Sequence, residues 1–123
     1  SQVFQGSIVS YSNELKNSLL NISEERLTRY GAVSEEICED MAINVKKKLG
    51  ADWSIAISGI AGPNGGSQEK PIGLVHISIS GPNNHITNIK KTFNTTRNRI
   101  EIQTLSVNVC LNSLRLILLS SSK

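Results

Sequence analysis

Aromatic side chains are nearly missing from this chain: of 123 residues, two are Phe, two Tyr and one Trp. That scarcity removes the stacking platforms on which single-stranded nucleic acids are bound. A dominant charge is missing as well. Thirteen basic against ten acidic side chains leave a net charge of +3, too slight an excess to imply a phosphate-backbone partner. No uninterrupted apolar run reaches the ~20 residues of a membrane span. The most apolar stretch, Leu111 to Leu119, is short and contains Asn112 and Arg115. No signal-peptide pattern is read, so the expected location is cytoplasmic, with no nucleic-acid and no membrane partner. Cysteine occurs twice, as Cys38 and Cys110, each in a helix-like apolar pattern without partner spacing. Both read as small buried hydrophobes of a reducing compartment, and a disulfide between them stays open.

What is present fits one globular domain with a moderate core, since 38% of the residues are hydrophobic. The domain is expected over residues 1–119, with residues 120–123 a frayed tail. Residues 4–6 lead into it with neither a cap nor an initiating methionine, as expected of a piece of something longer.

The stretch from Ser58 to Gly73 is the most tightly specified part of the backbone. It holds five of the nine glycines and two of the three prolines. Glycine reaches positive φ and lets a ligand approach the main chain, and proline fixes φ, so the expected product is an irregular loop rich in exposed N–H groups. Apolar runs enter it at Trp53 to Ile57 and leave it at Ile72 to Ile79, which places it between two buried strands. Such loops often carry function, although a glycine-rich connection is also the ordinary way to build a tight turn. Gly59, Gly62, Gly65 and Gly66 fit neither a P-loop nor a dinucleotide fingerprint.

Along the chain, Ser7 to Ser10 alternates like a strand. Asn13 to Leu20 carries Lys16 on a brief amphipathic helix with Leu15, Leu19 and Leu20 on one side. Ser23-Glu24-Glu25 opens a second helix that Tyr30-Gly31 stops, and Ser34 opens a third, in which Ile37, Met41, Val45 and Leu49 recur every four residues before Gly50. Lys46, Lys47 and Lys48 fall in its last turn, where the helix dipole favours cations. Strands follow over Ser54 to Ile57, Gly73 to Ser80 and Ile86 to Phe93, the last two joined by the turn Gly81-Pro82-Asn83-Asn84. His76 reads as a structural histidine inside its strand. Thr95 or Thr96 then caps a long final helix with two apolar stripes. Ile100, Val107, Leu111, Leu114 and Leu118 form one, and Ile102, Leu105, Val109 and Leu116 the other. Four strands among four helices imply an α/β class.

Three motifs in order, Ser10-Tyr11-Ser12-Asn13-Glu14-Leu15-Lys16, Gly31-Ala32-Val33-Ser34-Glu35-Glu36 and Ser58-Gly59-Ile60-Ala61-Gly62-Pro63 through Gly73, resemble the successive signatures of the CinA C-terminal domain family. The resemblance implies a three-layer α/β/α domain with a mixed sheet, usually in an oligomer of dimer size or larger. It implies hydrolysis of nicotinamide mononucleotide to nicotinate mononucleotide and ammonia by a Ser/Lys amidohydrolase, with no metal and no cofactor. Matched by motif, Lys16 is the general base and Tyr11 the phenol beside it. Ser58, Gly59, Gly62, Asn64, Gly65, Gly66 and Arg97 match positions that bind the small-molecule nucleotide. A lysine acts as a base only when neutral, which burial promotes; loop amides suit a phosphate or an oxyanion, and Arg97 offers a planar fork. The family's nucleophilic serine stands in an Ala-Glu-Ser-Cys-Thr-Gly-Gly segment, which these residues do not contain. The family's Gly-Asp-Arg and a second arginine four residues on correspond here to Thr95-Thr96-Arg97 and Glu101. The acid is expected to weaken phosphate binding, with Arg99 a compensating cation. A non-catalytic nucleotide-binding or oligomerisation module is the alternative.

Overall fold

The computed structural model describes residues 2–121. Two compact units emerge: one holds the chain up to Ser58 together with His76–Ile89, the other holds Gly59–Val75 together with the chain from Lys90 onward.

In the first unit three serines start three helices. Ser12, Ser23 and Ser34 each turn a side-chain oxygen to an orphan amide of the first turn, at Leu15, Arg26 and Ile37, and so open α1 (Asn13–Leu20), α2 (Glu24–Tyr30) and α3 (Glu35–Leu49). Asn21 and Gly50, both left-handed, stop α1 and α3. The helices bury Leu20, Ile22, Leu27 and Ile37 in one cluster, against which Ile8, Tyr30, Met41 and Val45 pack. Ile37 is fully buried, worth roughly 1.5–3 kcal/mol over leaving it in water. Cys38, Ala42 and Ala56 form a second cluster of small side chains. Both cysteines are buried and neither is in a disulfide, which closes that question.

Three strands, β1 (Ser54–Gly59), β2 (Leu74–Ser80) and β3 (Ile86–Thr92), lie in the order β1-β2-β3. The sheet is antiparallel, which corrects both the mixed sheet and the four strands expected from the sequence. Parallel neighbours need a crossover of a dozen or more residues, usually helical. Here the glycine loop joins β1 to β2 and a tight turn joins β2 to β3, with no helix in either. The turn is as read, with Asn83 at φ 57° and Asn84 at φ 60°. Residues 7–10 are not a strand. Their burial does alternate, Ile8 half-buried and Ser10 buried against exposed Ser7 and Val9, but no ladder forms and the Ser10 carbonyl accepts from a side chain instead.

In the second unit the glycine loop closes on itself. The Gly73 amide donates to the Ile60 carbonyl at 2.7 Å and the Ser67 amide to the Lys70 carbonyl at 2.8 Å. The unit's helix, α4 (Arg99–Ser121), begins later than expected. Asn98, not Thr95 or Thr96, caps it: Asn98 Oδ1 accepts from the Glu101 amide at 2.9 Å, and Glu101 Oε1 accepts from the Asn98 amide at 3.3 Å. This reciprocal pair is a capping box. The helix runs to Ser121, two residues into the stretch read as a frayed tail, whose other two residues lie outside the described ones. Neither of its two stripes is covered as a whole, and Leu116 of the second is exposed. Ile102, Ser106 and Cys110 are buried, while Ile100, Val107, Leu111 and Leu118 stay exposed. With 23 residues and a mean hydropathy of 1.4 over its most apolar window, α4 is long and apolar enough to cross a membrane, a length the sequence reading missed by stopping at Asn112 and Arg115.

Gly73 has φ +97°, and a Cβ there would run into the Phe93 carbonyl oxygen, whereas Gly65 at φ +88° faces only an Ile60 methyl at 3.7 Å. Gly65→Ala is expected to cost about 1–2 kcal/mol for its left-handed backbone alone. Gly73→Ala is expected to exceed that because the clashing atom is main chain, and urea unfolding of the two variants measures the difference.

Candidate active site

The residues expected to act fall on both units, Tyr11, Lys16 and Ser58 on the first and Gly59, Gly62, Asn64, Gly65, Gly66 and Arg97 on the second. Each set has its own geometry.

On the first unit the Ser12 cap fixes where α1 begins, and Lys16 follows one turn later with its amide bonded to the Ser12 carbonyl at 3.0 Å. Lys16 lies on the same face as Leu20, the other buried residue of this helix, and is only 6% exposed. Its Nζ donates to the Ser10 carbonyl at 2.6 Å. Burial pushes its pKa below the ordinary 10.5, because removing an ammonium from water disfavours the charged form. The amine's partner is thus a backbone carbonyl, an atom with no signature in the sequence. Tyr11 sits between Ser10, which holds the amine, and Ser12, which caps the helix, and is 86% exposed. Ser58, at the end of β1, is buried and donates its hydroxyl to the Ala32 carbonyl at 2.6 Å. That bond joins two of the three motifs.

Other polar groups of this unit serve the fold. The Cys38 thiol is shared between the Ala56 and His76 carbonyls at 3.3 Å each, and burial raises it to about 11. A thiol so held is inert as a nucleophile. Ser78 donates to Asn88 Oδ1 and Asn88 Nδ2 to Glu39 Oε2, both at 2.7 Å, a relay the sequence did not reveal.

On the second unit Gly62, Gly65 and Gly66 all have positive φ, which gives the loop the backbone that the glycine spacing anticipated. Asn64 is exposed between them. A Cβ on Gly59 would meet the Leu74 carbonyl at 2.9 Å, so that glycine serves a close approach of backbones. Arg99, expected only as a compensating cation, anchors the loop: its Nη1 donates to the Gly62 carbonyl at 2.9 Å. Arg97 points its guanidinium at Glu101 one turn along, Nη1 to Oε2 at 3.2 Å. Among the described residues no three His, Cys, Asp or Glu side chains gather as metal ligands.

Comparison with known proteins bears out the family resemblance. Residues 1–118 match the family model for the CinA C-terminal domain. A CinA-like protein of Prochlorococcus marinus is 85% identical over 123 residues, all of this chain and 29% of that protein. One from Gloeothece citriformis is 44% identical over 115 residues, 94% of this chain and 28% of that protein. The chain therefore spans less than a third of the curated relatives it matches. Among solved structures, the competence/damage inducible protein of Agrobacterium tumefaciens aligns with a TM-score of 0.83 at 35% identity, covering 86% of this chain and 64% of that one. A CinA superfamily protein of Escherichia coli aligns at 0.81 and 29% identity, covering 88% and 61%.

The buried amine generates a pH dependence. Burial lowers the folded-state pKa of Lys16 while the unfolded chain keeps about 10.5. Below the folded value both states hold the proton, and the desolvated ammonium counts against folding. Stability is expected to rise as pH climbs through the folded value and to level off at the unfolded one. Lys16→Met flattens that limb in urea unfolding across alkaline pH, and NMR titration of the lysine Cε signals finds Lys16 deprotonating before the exposed lysines.

Proposed function

Because the chain belongs to the CinA C-terminal domain family, we propose that it is part of an amidohydrolase of the nicotinamide mononucleotide deamidase type, converting nicotinamide mononucleotide and water to nicotinate mononucleotide and ammonia. The observation that carries the reading is the buried amine of Lys16, held by a neutral carbonyl and biased away from its ammonium form. Such an amine takes the proton of a serine hydroxyl as the oxygen adds to the carboxamide carbon, and returns it to the departing nitrogen so that ammonia leaves. Water then releases the acid from the acyl-serine. The serine is assigned to the family's Ala-Glu-Ser-Cys-Thr-Gly-Gly segment, outside these residues. Tyr11 is assigned a proton-relaying role, and Ser58, Gly59, Gly62, Asn64, Gly65, Gly66 and Arg97 the binding of the nucleotide, with loop amides and the Arg97 fork suited to its phosphate.

A second reading, a non-catalytic nucleotide-binding or oligomerisation module, is favoured by the uncovered row Ile100, Val107, Leu111 and Leu118 on α4. On either reading the protein is proposed to self-associate as a dimer or larger and to act in the cytoplasm.

Ammonia release from nicotinamide mononucleotide tests the first reading. These 123 residues alone are expected to release none. The natural protein that includes the serine segment is expected to release it, and Lys16→Ala to lower its rate by at least about 100-fold, the low end for loss of a general base. An active natural protein indifferent to Lys16→Ala defeats the assignment. One that releases nothing yet sediments as an oligomer, and loses that state on Leu111→Lys, favours the module.

A further inference from the structure

We infer that Glu101 tunes how tightly the anion-binding end of the second unit holds a phosphate: it keeps Arg97 paired, so each negative charge on the ligand is rewarded less there than an unpaired arginine would reward it. The inference rests on the reading that Arg97 meets the phosphate of the nucleotide. The Glu101 carboxylate has two tasks. Its Oε1 accepts from the Asn98 amide at 3.3 Å and its Oε2 from Arg97 Nη1 at 3.2 Å. The first task makes the second persistent, because the capping box holds the carboxylate at the helix start when an anion arrives. Arg99 keeps its charge and its other donors but is tethered to the loop, its Nη1 donating to the Gly62 carbonyl at 2.9 Å in a partly buried bond. One arginine is thus offset by an acid and the other is held at the loop. Arg97 still has donors to offer, for a guanidinium carries five N–H groups. The effect arises from charge: each negative charge brought to the fork meets a carboxylate fixed one turn away. Both partners of the pair are nearly half exposed, at 48% and 46%, so water and salt limit the effect to tuning.

The experiment titrates the chain with nicotinamide mononucleotide and with nicotinamide riboside, which lacks the phosphate, as wild type, Glu101→Gln and Arg97→Ala. Glutamine keeps the capping box while removing the charge, and circular dichroism checks that α4 is unchanged. Glu101→Gln is expected to tighten the mononucleotide by roughly two- to fivefold and leave the riboside where it was, the range an exposed pair supplies. The gain shrinks in high salt. An unchanged ratio of the two affinities in Glu101→Gln, alongside weaker mononucleotide binding in Arg97→Ala, overturns the inference and leaves the nucleotide reading standing. Mononucleotide binding by none of the three overturns both.

Discussion

A lysine amine taken out of water and given a carbonyl as its partner is the constraint around which the first unit is built. Lys16 Nζ and the Ser10 carbonyl lie 2.6 Å apart, six residues from each other along the chain. A carbonyl accepts from an amine or an ammonium alike, so this bond, unlike an ion pair, does not recover the charge. The contrast is on the same unit: Arg26 is held by Asp40 at 2.6 Å, hydrogen-bonded and opposite in charge, which raises its pKa. Lys16 has no such support and moves the other way. The arrangement needs the chain extended at Ser10 and helical from Asn13, and the Ser12 cap is where that change is made. It also explains why residues 7–10 carry the alternation of a strand without its pairing: the carbonyl at their end has another task.

A chain with five aromatic residues has to fix its connections by other means. Here polar side chains reach the backbone of distant segments. Asn44 donates to the Leu20 carbonyl at 2.7 Å, Ser54 to Ala42 at 2.6 Å, Ser58 to Ala32 at 2.6 Å and Lys46 to Gly81 at 2.7 Å. Each such bond contributes about 0.5–1.5 kcal/mol net, but its larger effect is geometric, because a buried carbonyl left unmet costs more than that. Among the described residues no buried side-chain polar atom lacks a partner. Arg99 repeats the device on the second unit, where its bond to Gly62 anchors a loop whose glycines would otherwise leave it many conformations.

What could be read from the sequence was local. The caps at Ser23 and Ser34, the glycine stops at Gly31 and Gly50 and the Gly81 to Asn84 turn are set by residues within a few positions of one another, and the structure has them where the pattern put them. The errors are those of longer range or of competing local signals. Alternation at Ser7 to Ser10 predicts an extended chain, but a strand also needs a neighbour, which the pattern does not supply. At α4 the run Asn94-Thr95-Thr96-Arg97-Asn98 offers several caps, and only the glutamate three residues past Asn98 distinguishes the right one. The mixed sheet came with the family resemblance, although a glycine loop and a tight turn between the strands already argued for reversal. Of the candidate site, Lys16 and the loop were legible through their motifs. The Ser10 carbonyl was not, since a main-chain acceptor is the same at every residue, and nothing in sequence separates Arg99 from Arg97.

The uncovered row of α4 sets one composition against two environments, each of which suits only part of it. The helix passes for a membrane span by length and hydropathy, yet Asn108, Asn112 and Arg115 are exposed alongside Val107, Leu111 and Leu118. Hydrocarbon penalises an arginine, by about 2.5–3.5 kcal/mol at a helix centre and less toward an end, and water does not reward the leucines. Arg115 is bound to its own helix instead, with Nη2 donating to Asn112 Oδ1 at 2.9 Å. A polar pair folded back along the helix beside an apolar row has the composition of the rim and centre of a protein interface. The same argument reaches the buried side. Ser106 returns its hydroxyl to the Ile102 carbonyl at 2.6 Å, and beside it Cys110 is small, so the covered face is the one that admits close packing. The larger side chains Val107, Leu111 and Leu118 fall on the exposed one.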